Sequence, residues 1–145
     1  AEDFSQGLPV AVILGDNIFD HDFSHDVATF QGGAKAFFKR MEKPHRFGVP
    51  VFDRSGKKVV RIEEKPKKPK SKFAQTGFYI YDNDIFSIIK TLKPSGRGEL
   101  EITDANNIYL EKGKFSHGII KGLWSDAGTF ESLHKVSIEI AKRSL

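Results

Sequence analysis

The stretch PVAVILGDNIF, residues 9–19, decides how this chain is read. Residues 10–14 are short and solidly apolar, the mark of a strand covered on both faces. Directly behind them a bare carboxylate, Asp16, stands beside an amide, Asn17. In open α/β sheets, ligands bind beyond the carboxyl ends of strands. A carboxylate at that edge can hold a divalent cation through oxygen. It can equally be an ordinary turn or helix-capping residue.

The rest of the chain interleaves strands and helices. Residues 21–30 place Phe23, Val27 and Phe30 at helical spacing and end at Gly32 and Gly33. Residues 34–41, AKAFFKRM, read as a second strand. VPVFDRSGKKVVRIEEKP is two extended runs joined by the turn signal Asp53-Arg54-Ser55-Gly56. FAQTGFYIYD is a further strand, after which Asp82-Asn83-Asp84 offers an N-cap to a helical stripe ending at Leu92. Residues 99–112 predict a helix closed by Gly113, residues 115–124 are extended, and residues 129–143 predict a last helix with a basic end. The class is α/β, with a largely parallel or mixed sheet.

At 145 residues the chain fits one domain. Thirteen Phe and 39% hydrophobic residues are enough for a real core. The absence of Cys rules out a disulfide, a thiolate nucleophile and a zinc–thiolate site, and it fits a reducing cytoplasm, the expected location. No apolar run reaches the roughly 18 residues a membrane span needs, and AEDFSQGLP carries no signal-peptide pattern. The net charge of +4 suits anionic ligands of any size. Much of it lies in residues 65–72, which hold five lysines.

Four more stretches carry chemistry, each with a plain structural alternative. Asp126 in LWSDAGT follows an extended run and precedes a helix, as a second cation ligand or a cap. In RIEEKP, strand alternation sends Glu64 to one face and Glu63 and Lys65 to the other, in a site or on a solvated edge. Gly77 in TGFY marks a close approach or a bulge. Arg97, between two glycines in GRGELEITD, is a forked phosphate donor or a surface arginine.

Taken in order, LGDNIF, RFGVPVFD, EEKP, TGFYIYD, SGRGELEITDANNIYL and LWSDAGTFESL span the chain from about residue 10 to its end. In this the chain resembles the sugar-1-phosphate nucleotidyltransferases, thymidylyl and uridylyl types alike. The resemblance implies a Rossmann-like three-layer sandwich with a mixed, mainly parallel sheet, the nucleotide-diphospho-sugar transferase type. It implies transfer from dTTP or UTP to glucose 1-phosphate, in which a sugar phosphate oxygen attacks the α-phosphorus in line and pyrophosphate leaves. By the same resemblance Asp16 and Asp126 hold Mg²⁺, and Glu64 accepts from sugar hydroxyls. Lys65 neutralises the sugar phosphate and Arg97 contacts it, Gly48 offers its N–H to the sugar, Gly77 lets the sugar lie against the backbone, and Asn17 belongs to the substrate-binding set. Partners are then the triphosphate and the sugar phosphate, with a homo-oligomer expected for the complete enzyme.

Some positions depart from that pattern. Ala127 stands where relatives usually carry Thr, and Phe47-Gly48-Val49-Pro50 replaces a Tyr-Gly-Val-Val run. The family's glycine-rich nucleotide loop has no counterpart here, so residues 1–145 are expected to be a single partial domain, incomplete at the N-terminus. They would hold the sugar-phosphate and metal portion, be inactive or nearly so alone, and expose a sheet edge.

Rival readings are a non-catalytic sugar-nucleotide-binding or regulatory module of the same fold, a nucleic-acid binder and a glycosyltransferase. Residues 65–72 contain no aromatic to stack a base. The glycosyltransferase D-x-D signature is absent after Asp16. His21 and His25, four apart, read as partly exposed helix residues rather than a metal pair.

Overall fold

The structure is a computed structural model that describes residues 1–143. Its centre is a four-stranded sheet of β1 (Val10–Ile13), β6 (Phe73–Tyr81), β3 (Ala34–Arg40) and β7 (Phe115–Ile120), in that spatial order. Two short ribbons flank it: β2 (Asn17–Phe19) with β8 (Trp124–Asp126), and β4 (Gly48–Phe52) with β5 (Val59–Glu64). The helices are α1 (Glu2–Ser5), α2 (Ser24–Ala28), α3 (Asp84–Thr91), α4 (Ile102–Glu111) and α5 (Phe130–Arg143).

Alternation along β3 builds a core on each face of the sheet. Ala34, Ala36 and Phe38 join Tyr79 and Tyr81 of β6, and α3, α4 and the β4–β5 ribbon cover them through Ile85, Ile88, Ala105, Tyr109, Val59 and Ile62. Phe37 faces the other way with Phe78, Ile80 and Ile120, beneath Phe19, Phe23, Phe30 and Trp124. Two cores on one sheet make a three-layer α/β arrangement, as expected.

The sheet is mixed, but its balance corrects the expectation of a mainly parallel one. β6 runs antiparallel to both β1 and β3, and only β3–β7 is parallel. The chain returns beside β3 through the β4–β5 ribbon, and a return without a helical crossover gives antiparallel pairing.

The first strand is also corrected. β1 is an edge strand rather than one covered on both faces, and Val12, Ile13 and Leu14 are 37%, 58% and 45% exposed. An apolar edge invites pairing with another chain. Ile13→Lys is therefore expected to reduce concentration-dependent association of this chain in sedimentation velocity. Stability in urea should shift by no more than about 0.5 kcal/mol, because the side chain is more than half exposed.

The Asp82 side chain ties the start of α3 to its neighbours. Asp82 Oδ1 accepts from the Asp84 N–H at 3.1 Å and from the Tyr109 hydroxyl at 2.7 Å. Its Oδ2 accepts from the Gly33 N–H at 2.8 Å, so one carboxylate joins α3, α4 and the start of β3. Residues 99–101, expected to be helical, lie outside α4. The Ser95 N–H bonds the Glu99 carbonyl at 2.8 Å, and Glu101 is extended. Gly113, at φ 68°, ends α4 in the left-handed region that favours glycine.

Among the described residues, no helix is long and apolar enough to cross a membrane.

Candidate active site

The β2–β8 ribbon brings together two acids that lie 110 positions apart in sequence numbering. Asn17 pairs with Asp126, and the Ala127 N–H donates to the Asp16 carbonyl at 2.7 Å. The Gly128 N–H donates to Asp126 Oδ1 at 2.9 Å. A Cβ placed on Gly128 would meet Asp126 Oδ1 at 2.9 Å and Asp16 Oδ2 at 3.0 Å. Both carboxylates thus crowd one glycine, and any side chain there would push between them.

Asn17 explains why an amide follows the acid. Its Nδ2 donates to Asp16 Oδ1 at 2.8 Å. Its Oδ1 accepts from the Gly77 N–H at 2.9 Å and from the Trp124 indole N–H at 2.6 Å. The amide therefore ties β2 to β6 and β8 and fixes the Asp16 carboxylate. Gly77 does mark a close approach, but its neighbour here is Asn17. A Cβ at Gly77 would lie 2.6 Å from the Asn17 Cγ and Nδ2.

These residues open onto a cleft of about 220 Å³. Its walls include Asp16, Asn17, Gly48, Glu64, Lys65, Gly77 and Asp126. Gly48 is packed tightly as well: a Cβ there would meet Thr103 Oγ1 at 3.1 Å and Gln75 Cβ at 3.3 Å.

Strict alternation would send Glu64 and Lys65 to opposite faces, yet both line the cleft. The reason is backbone geometry. Lys65 has φ 41°, in the left-handed region, and so it ends β5 with a turn of the chain. Such a non-glycine conformation costs about 1–2 kcal/mol, and strain of this kind clusters at sites that bind ligands. The Lys65 N–H is held by the Phe47 carbonyl at 3.1 Å, and its Nζ lies 4.0 Å from Glu64 Oε1.

Glu64 is held from both sides. Thr103 donates its hydroxyl to Oε2 at 2.5 Å, and Arg97 Nη2 lies 3.4 Å from Oε1. Each oxygen keeps a lone pair for a ligand.

Arg97 itself is the one sequence candidate that does not line the cleft. Its guanidinium is bound by Glu101 at 2.7 Å and lies 3.5 Å from Glu99. The Ser95 hydroxyl and the Arg97 guanidinium hold the Glu101 carboxyl below the usual glutamate range. In this arrangement Arg97 touches the cleft residue Glu64 and is itself not among the wall residues.

Sequence reasoning passed over Arg46, Gln75, Tyr79, Thr103 and Trp124. Trp124 lay in plain view two residues before Asp126, and Thr103 lay inside GELEITD. Arg46, on the single 3₁₀ turn Pro44–Arg46, had no local signal. Tyr79 and Gln75 read only as strand residues. In the fold they form a braced floor. Gln75 Nε2 donates to the Tyr79 hydroxyl at 3.3 Å and Asn106 Nδ2 donates to Gln75 Oε1 at 3.3 Å. The Tyr81 hydroxyl donates to Asn106 Oδ1 at 2.8 Å. Burial pushes the Tyr79 phenol up to about 12, so it stays a neutral hydroxyl at physiological pH.

The cleft thus holds two converging acids, Asp16 and Asp126, together with Glu64, Lys65 and Arg46. Among the described residues, no group of three or more His, Cys, Asp or Glu is arranged to hold a metal. His21 precedes α2 and packs edge-on against Phe23, so it and His25 do not share a helix face. Two hard carboxylate oxygens fit Mg²⁺, which usually takes one or two carboxylates and fills its other positions from substrate phosphates and water.

The family described as Nucleotidyl transferase matches residues 1–143. A glucose-1-phosphate thymidylyltransferase of Neisseria meningitidis serogroup A / serotype 4A is 45% identical, over 94% of this chain and 49% of its own length. A Bacillus anthracis protein assigned as a glucose-1-phosphate thymidylyltransferase, solved with a sucrose, superposes with a TM-score of 0.84. It is 49% identical and covered to 55%, against 92% of this chain. An apo UDP-glucose pyrophosphorylase superposes with the same TM-score at 25% identity, over 99% of this chain and 58% of its own. The chain spans about half the length of the curated relatives it matches.

Proposed function

The chain belongs to the nucleotidyl transferase family, and on that premise we propose that its cleft serves nucleotidyl transfer from dTTP or UTP to glucose 1-phosphate, with release of pyrophosphate. The observation that carries the reading is the convergence of Asp16 and Asp126 on one glycine, in the wall of a cleft that also holds Glu64 and Lys65.

In such a reaction a phosphate oxygen of the sugar phosphate bonds to the α-phosphorus of the triphosphate as the α–β bridging bond breaks. The work is positioning and charge neutralisation, and no protein nucleophile is required. Asp16 and Asp126 would hold Mg²⁺, which when bound neutralises phosphate charge. Lys65 presents a compact ammonium to the sugar phosphate. Glu64, oriented by Thr103 and Arg97, accepts from sugar hydroxyls with its remaining lone pairs. Tyr79, kept protonated by burial, offers a hydroxyl at the floor. Asn17 holds the Asp16 carboxylate in place.

The test is pyrophosphate release from this chain with Mg²⁺, glucose 1-phosphate, and dTTP or UTP in turn. Release lost in Asp16→Ala supports the reaction, and the ratio between the two nucleotides gives the base preference. If nothing is released, calorimetric titration with glucose 1-phosphate decides the sugar-phosphate part. Lys65→Ala should weaken that binding by about tenfold or more, the worth of one charge-assisted contact. The absence of both release and Lys65-dependent binding would overturn the proposal.

A further inference from the structure

A second cavity, of about 350 Å³, shares no wall residue with the active cleft. Lys57, Lys58, Val59, Leu110, Gly113, Phe115 and His117 line it. The turn after α4 leaves one side open, for a Cβ built on Gly113 meets nothing within 4 Å. Val59, Leu110 and Phe115 give it apolar walls.

Its polar side chains are two lysines and one histidine. No acidic side chain is among the wall residues. Neither the Lys57 nor the Lys58 ammonium has an ion-pair partner among the described residues. The nearest acid on their own turn, Asp53, is already engaged by the Ser55 hydroxyl and by the backbone N–H groups of Lys57 and Lys58. The His117 ring packs 5.8 Å from Phe38 and 5.9 Å from Phe52, centre to centre. Its nitrogens have no hydrogen-bond partner among the described residues. Burial holds its pKa below the ordinary value, so at neutral pH the ring keeps one N–H donor.

An apolar pocket with a few convergent polar groups is the usual form of a small-molecule site. Here two of those groups are cationic, the third is a neutral ring N–H, and none of the three side-chain ends is paired among the described residues. We propose that this cavity is a second ligand site, for a small molecule that joins one phosphate or carboxylate head to a flat apolar body. The body lies on Val59, Leu110 and Phe115. The head meets Lys57, Lys58 and the ring N–H of His117. The proposal does not rest on the reading of the active cleft.

Phenyl phosphate is the probe. The readout is the ring signal of His117 in NMR spectra of the isotopically labelled chain, assigned as the one lost in His117→Gln. A saturable shift is expected. It should be weakened by about tenfold in the Lys57→Ser/Lys58→Ser double variant, whose changes are confined to exposed side chains. It should be unchanged in Lys65→Ala, which separates this cavity from the active cleft. Inorganic phosphate should bind at least about tenfold more weakly, since it forgoes burial of the apolar ring. Absence of a shift, or a shift that follows Lys65 rather than Lys57 and Lys58, overturns the site. Equal binding of inorganic phosphate overturns the apolar body.

Discussion

Asp126→Asn is expected to weaken Mn²⁺ binding to this chain by at least about tenfold, because losing even a supporting partner of a metal ligand typically costs 10–100-fold. The readout is paramagnetic broadening of the Trp124 indole N–H, and Trp124 is the one tryptophan in the sequence. That N–H donates to Asn17 Oδ1, and the same amide donates to Asp16 Oδ1. The reporter is therefore one residue removed from the acids. Asparagine keeps an oxygen for the Gly128 N–H that Asp126 now accepts, so the ribbon should persist while the charge is lost. Asp16→Asn should match it. The double variant should add less than the sum of the two, because both acids serve one ion. Asp104→Asn, an exposed helix acid, is the control. Broadening that survives both single changes would remove the cation from the proposed function, and Mg²⁺ that fails to compete with Mn²⁺ would do the same.

The second large effect concerns stability. Gly33→Ala is expected to destabilise the chain by at least about 3 kcal/mol, the combined cost of a strained backbone and overpacking. Gly56→Ala should cost only about 1–2 kcal/mol. The two glycines have nearly the same backbone, φ 76° and 71°. Around Gly56 nothing lies within 4 Å of an added Cβ, whereas at Gly33 it would meet the Lys114 carbonyl oxygen at 2.1 Å. That oxygen cannot yield cheaply. It accepts the Ala34 N–H at 2.8 Å, at the start of the parallel pairing of β3 with β7. Urea unfolding of both variants separates the contact from the dihedral cost. Equal losses would show that the Lys114 contact does not matter.

Much of the candidate cleft is legible in the sequence. Asp16, Glu64, Lys65 and Asp126, which share its walls, stand out by residue type, by position at or near the end of an apolar or extended run, and by motif order along the chain. The polar neighbours were harder to see. Thr103 matters because the first turn of α4 lies under Glu64, and Arg46 because a 3₁₀ turn swings it to the cleft. Neither placement has a periodic trace in sequence. Arg97 shows the reverse limit. A forked cation between glycines reads as a phosphate donor, but three nearby glutamates engage it in the fold.

Local chemistry determined most of the strands and helices, the two hairpin arms and the glycine that ends α4, because periodicity, turn residues and charge act over a few positions. Strand direction and edge status were decided only by tertiary structure. An apolar run such as residues 10–13 has the same local pattern at the centre of a sheet or at its edge. The meeting of Asp16 with Asp126, and the turning of Lys65 into the same cleft as Glu64, were decided there too. The first needs the β2–β8 pairing across more than a hundred residues. The second needs a left-handed backbone that strand alternation would never suggest, held by a carbonyl from another strand's approach.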